Sequence, residues 1–154
     1  MDDKVSTVDV SETSTGLRVV VVDPRPERRE LVRHLVASTG LAATGIAEAA
    51  NALEVVDMLA QEERDVAVVE IQMPVSEGLK TIAALRGRST SLHIVVCSFL
   101  CDPATKALAH EQGADVYLDK PVGSEALRVV LEEFSRQRKP PVAASRARRR
   151  TKPV

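Results

Sequence analysis

The strongest constraint on this chain is a repeated alternation. Short β-branched runs stop at a polar residue, and each is followed by a stretch with helical spacing. Leu17-Arg18-Val19-Val20-Val21-Val22 is the clearest run, and it ends at Asp23-Pro24. A run that is apolar on both faces suits a central strand of a parallel sheet covered on both sides. Pro26 opens the first helix, because a proline at the first helical position gives up no hydrogen bond. Leu31, Leu35 and Val36 are its expected buried stripe. After Gly40 a weaker strand is expected over residues 42–47, then a helix over 51–61 with Leu53, Val56, Leu59 and Ala60 inward. Residues 65–70 form the third strand, which ends in an acid as the first does. Residues 72–78 are a turn-rich loop, and a helix runs from there to about Arg86. Residues 92–97 form the fourth strand, ending at Ser98. Asp102-Pro103 is an N-cap with a first-turn proline, and Gly113 stops that helix. Val116-Tyr117-Leu118 is a short fifth strand, closed by Lys120-Pro121. The last helix covers 124–136, with Leu127, Val130, Leu131 and Phe134 inward.

Five alternations of strand and helix predict an α/β fold: a doubly wound, five-stranded parallel sheet with helices on both faces. In such sheets the ligand site lies beyond the carboxyl ends of the strands, where the strand order reverses. Those ends carry Asp23, Glu70, Ser98 and Lys120. Four polar groups of complementary character thus converge on one rim. Simpler readings stand beside this one. Asp23 is also a good helix cap, Glu70 is also what a solvated surface acid looks like, and Ser98 is also a common turn residue. Tyr117 reads equally as a partly buried core aromatic.

These motifs resemble a response-regulator receiver domain of two-component systems, over about residues 17–136. The resemblance rests on Val-Val-Asp23 after the first strand, Glu70 followed by Met73-Pro74 and Glu77-Gly78, Ser98 after the fourth strand, and Gly113-Ala114-Asp115 followed by Lys120-Pro121. It implies a flavodoxin-like (βα)5 domain in which the residue at position 70 is an aspartate that accepts a phosphoryl group from a histidine kinase. It also implies that acids at positions 23 and 24 hold magnesium, and that Ser98 and Lys120 bind the phosphoryl oxygens. Tyr117 would swing inward on switching, and the Lys120-Pro121 bond would be cis.

Two departures strike the same chemistry. Position 70 is Glu, which carries its carboxylate out by about one carbon–carbon bond, roughly 1.5 Å. Phosphoryl transfer depends on positioning, and an error of about 1 Å can cost ~100-fold. Position 24 is Pro, which brings no side-chain ligand to a metal that demands oxygen in near-octahedral geometry. The expectation is an atypical receiver, without metal or cofactor, in which Glu70, Asp23, Ser98 and Lys120 form a pseudo-phosphoacceptor site. The longer Glu70 reaches toward Lys120 and Ser98, and a Glu70–Lys120 contact is expected.

The rest of the chain concerns partners. Residues 1–16 read as a flexible polar leader and 137–154 as a basic tail rich in Pro, Ala and Arg. Eight of the 21 basic residues lie after Glu133, leaving 13 against 22 acidic groups before residue 135, a net charge of -9. Arg146, Arg148, Arg149 and Arg150 suit nucleic-acid phosphates, an acidic protein surface or anionic lipid, or simply keep the chain soluble. Aromatics are 2%, which argues against a stacking platform for single strands. No apolar run approaches the ~18 to 20 residues of a membrane span, and Met1-Asp2-Asp3-Lys4 lacks the features of a secretory signal. Cys97 and Cys101 lack the spacing and second pair of a zinc site, and His34, His93 and His110 are scattered. No Gly-rich phosphate loop or nucleophile elbow points to an independent enzyme. The reading is a stand-alone cytoplasmic receiver, not an enzyme, with Tyr117 and Pro121 on its output face. It docks on a protein partner in a larger cytoplasmic or membrane-associated assembly. A phosphorylatable receiver in a phosphorelay and a tail-mediated nucleic-acid binder are the alternatives.

Overall fold

Every apolar run becomes a strand and every interval a helix. A computed structural model describes residues 16–42 and 45–137. The elements are β1 (Val19–Val22), α1 (Pro26–Ser38), β2 (Ile46–Ala49), α2 (Ala52–Gln61), β3 (Val66–Val69), α3 (Val75–Arg88), β4 (His93–Ser98), α4 (Pro103–Gln112), β5 (Val116–Asp119) and α5 (Ser124–Gln137). All strand pairs are parallel, in the order β2-β1-β3-β4-β5. The leader up to residue 15 and the basic tail with Arg146, Arg148, Arg149 and Arg150 lie outside the described residues.

The period of two in a strand divides the core in half. Val20, Val22, Ala67, Val69, Ile94 and Val96 face one side, where Val55 of α2, Ile82 and Leu85 of α3 and Ala109 of α4 cover them. Val19, Val21, Val66, Val68, Val95 and Cys97 face the other, beneath Val32 and Val36 of α1 and Leu127, Leu131 and Phe134 of α5. Both faces are therefore covered, as the Val-rich central strands require. The chain leaves β1 toward β2 on one side and returns to β3 on the other. The gap above β1 and β3 is the switch point at which α/β sheets place their sites.

Three expectations are corrected. On α1, Leu31 is 63% exposed, while Val32 and Val36 are buried and Leu35 is half-buried. Residues 31 and 35 and residues 32 and 36 are both i,i+4 pairs, and periodicity alone does not choose between stripes one residue apart. The helix is turned so that Arg28, Val32 and Val36 share the inward face. On α2, Leu53 is 81% exposed and Ala60 is also exposed, and Val55 is the buried residue. The second strand begins at Ile46, later than expected. It is an edge strand with only Ala49 fully buried, so its apolar signal is weak.

Register places the rim. Val22 pairs with Val69, and Val69 with Val96, so Asp23 and Glu70 leave adjacent strands at the same level. The Glu70 amide donates to the Val22 carbonyl at 3.0 Å, and the Lys120 amide to the Ser98 carbonyl at 2.8 Å. Lys120-Pro121 is cis, as the resemblance implies, and Met73-Pro74 is cis as well. Gly78 lets α3 lie against the loop that follows Glu70, since a Cβ there would fall 2.7 Å from the Ile71 carbonyl carbon.

Candidate functional site

The four residues expected on one rim are brought together. Asp23, Glu70 and Ser98 are buried at the ends of β1, β3 and β4, and the Lys120 side chain is 11% exposed just after β5. Lys120 Nζ donates to Glu70 Oε2 at 3.0 Å, the direct contact expected from the added methylene. The Gln72 amide donates to Oε1 at 3.0 Å, so both carboxylate oxygens are engaged. The expected reach toward Ser98 is not found: no hydrogen bond links Glu70 to Ser98 among the described residues. Ser98 Oγ accepts from the Leu100 amide at 3.1 Å and organises the β4–α4 loop.

Arg28 is the rim residue that sequence reasoning missed. Its Nη1 lies 3.3 Å from Glu70 Oε2, so that oxygen faces two cations. Its place in the sequence becomes a signal only once the rotation of α1 is known. Arg28 lies five residues after Asp23 and one helical turn before Val32, on the face that α1 turns inward. Its neighbour Arg29 donates to the Asp23 carbonyl at 2.7 Å and pairs with Glu48 at 2.9 Å, tying α1 to β2.

Asp23 does not serve as the N-cap of α1. That position is Arg25, which makes no side-chain cap. Asp23 Oδ1 instead accepts from the Arg25 amide at 2.9 Å. Asp23 Oδ2 is buried without a hydrogen-bond partner, beside a cavity of about 10 Å³ whose polar walls are Asp23, Glu70 and Lys120. Burial pushes the Asp23 carboxyl above its ordinary range, and the Glu70 charge adds to the rise. The Arg25 amide, Lys120 and Arg28 oppose it.

Around this centre, Phe99 stands exposed at the mouth, with its ring centroid 5.6 Å from Lys120 Nζ. The half-buried Tyr117 donates its hydroxyl to the Leu100 carbonyl at 2.7 Å. Burial raises its phenol above the usual value. Cys97, on β4, packs into the core beneath α1 and α5 with its thiol pushed up to about 12 by burial, so it is an inert core residue.

The model of the response regulator receiver domain matches residues 19–132 of this chain. The chain belongs to the response regulator receiver family. Among curated receivers it is similar to response regulator MprA of Mycobacterium tuberculosis, 30% identical over 129 residues, covering 84% of this chain and 55% of that protein. MprA of Mycobacterium avium is 29% identical over 124 residues, covering 80% and 53%. This chain thus spans about half the length of the curated relatives it matches. Among solved structures, the NarL signal receiver domain from M. tuberculosis aligns with a TM-score of 0.70 at 25% identity, covering 80% of this chain and 98% of that one. Chemotaxis protein CheY4 of Vibrio cholerae shares the fold with a TM-score of 0.68 at 24% identity, covering 78% and 99%. The five parallel strands with alternating helices are those of this fold. No helix among the described residues is long and apolar enough to cross a membrane.

The family implies magnesium at this rim, and the residues present do not fit it. Pro24 supplies no side-chain ligand. Glu70 spends both oxygens on Gln72, Lys120 and Arg28. The space beside Asp23 is small, about 10 Å³, and lined mostly by valines. Among the described residues, Asp23 Oδ2 is the buried carboxylate oxygen without a hydrogen-bond partner.

Proposed function

We propose that this protein is an atypical receiver: a non-enzymatic regulatory or accessory subunit of the cytoplasm that acts by docking on a protein partner, its rim fixed rather than phosphorylated. The observation that carries this reading is the 3.0 Å ion pair between Glu70, 3% exposed, and Lys120, 11% exposed. It puts a permanent carboxylate against the ammonium that would otherwise receive a phosphoryl group. Loss of one partner from a buried pair costs several kcal/mol, so the pair holds a single arrangement. Glu70, Asp23, Ser98 and Lys120 are then a pseudo-phosphoacceptor site.

The docking surface in this reading is built by α4, β5 and α5. It presents Tyr117 and Pro121, with Leu108 44% and Val129 54% exposed alongside. The partner is a larger cytoplasmic or membrane-associated assembly, and the arginines at 146 and 148–150 supply a second contact to an acidic surface. Membership of the receiver family itself favours a second reading, a phosphorylatable receiver in a two-component phosphorelay. Incubation of the full chain with acetyl phosphate and magnesium, read by intact mass, decides between them. No added mass is expected. A stoichiometric gain of one phosphoryl group, lost in Glu70→Gln, would overturn the docking-only reading.

A further inference from the structure

We infer that the Arg28 guanidinium takes the place of the divalent cation at this rim, and that its removal opens a cation site that the native chain lacks. The inference rests on the reading of the rim as one that no longer takes phosphate. Four charged side chains meet there: Asp23 and Glu70 are formally negative, and Arg28 and Lys120 formally positive. The set closes at zero with no ion from solution. A receiver rim with three acids and one lysine carries a surplus of negative charge and needs a metal to neutralise it. Here the missing acid at position 24 and the added guanidinium remove that surplus together.

Geometry supports the exchange. Arg28 Nη1 lies 3.3 Å from Glu70 Oε2, the same oxygen that Lys120 holds at 3.0 Å. Both cations also act on Asp23. A divalent ion near Asp23 Oδ2 would meet two positive charges and no free carboxylate oxygen on Glu70. The rotation of α1 that carries Arg28 to the rim also buries Val32 and Val36 and turns Leu31 outward. The packing of the helix thus holds the guanidinium in place. Arg28 itself is only half-buried, with its side chain 33% exposed. Truncation there exposes Glu70 Oε2 toward solvent and leaves the Lys120 pair standing.

The test is a Mn2+ titration of the full chain, followed by electron paramagnetic resonance. The native chain should take up no stoichiometric ion in the millimolar range. Arg28→Ala should bind one ion at least ~10-fold more tightly, because a like charge beside the ligand has gone. Arg28→Lys should keep the site closed, and Arg28→Ala with Asp23→Asn should close it again. Should Arg28→Ala fail to fold, Arg28→Gln carries the same test, with folding checked by circular dichroism. Tight Mn2+ uptake by the native chain that Asp23→Asn abolishes would overturn the inference, as would equal binding by native chain and variant. A native chain that binds Mn2+ yet gains no phosphoryl group would sink this inference alone. A native chain that stays free of Mn2+ yet gains one would sink the docking-only reading and leave the guanidinium in its role.

Discussion

The two ends of the sheet use ion pairs differently. At the amino end, Arg18 pairs with Asp65 at 3.2 Å and Arg86 with Asp115 at 2.9 Å, with side chains between 14% and 40% exposed. These arginines stitch backbone. Arg86 donates to the carbonyls of Ser89, Thr90, Leu92 and Gly113, and Asp65 also accepts from the Arg18 amide. At the carboxyl end, Glu70 and Lys120 are nearly closed to solvent, and a carboxylate oxygen of Asp23 has no partner. The amino end also holds one such atom, Arg64 Nε, yet that guanidinium still reaches Glu62 at 3.2 Å. Charge at the amino end fastens loops and strands, whereas the carboxyl end, beside exposed pairs such as Lys106–Asp119, also holds the Glu70–Lys120 pair almost closed to solvent. A site is marked by the cost of its burial.

That contrast can be broken by substitution. Lys120→Ala should cost the most, about 3 kcal/mol in urea unfolding, because it leaves Glu70 buried with only the half-exposed Arg28. A cost below that of Arg86→Ala would put the two ends on an equal footing. Arg86→Ala should cost about 2 kcal/mol, from carbonyls left with poorer partners, and its cost should fall little with added salt, since most of those partners are uncharged. The smallest effect is a pH slope. His93, at the start of β4, stacks on Phe134 with ring centroids 4.0 Å apart. Burial lowers its pKa from 6.5, with Arg86 pressing the same way and Asp115 and Asp65 opposing. Below 6.5 the unfolded chain takes up this proton before the folded one does. The histidine's contribution is therefore present above 6.5 and is lost as pH falls through the folded value. Urea midpoints measured across that window should decline in the native chain and flatten in His93→Gln.

Most of the fold was legible because central strands announce themselves. The all-valine β1 and the apolar β3 and β4 have no other stable use in a chain of this length. β2 was misplaced because an edge strand carrying Glu48 shows little of that signal. Helix rotation was less legible still. The period reveals that a face exists, but adjacent residues such as Leu31 and Val32 both satisfy it. The Glu70–Lys120 pair could be read ahead because both residues close strands, and strand ends share a rim. Arg28 could not, since one arginine among Arg25, Arg28, Arg29 and Arg33 looks like its neighbours until the rotation of α1 is known.

The outer strands carry a consequence for assembly. β2 and β5 are only four residues long, and each bears an acid tied to a helix: Glu48 to Arg29 and Arg33 at 2.9 Å, and Asp119 to Lys106 at 3.1 Å. Short, charged margins discourage edge-to-edge growth by a foreign chain. A partner is then expected to meet side chains of helices, loops and β5 rather than to add a sixth strand to the sheet.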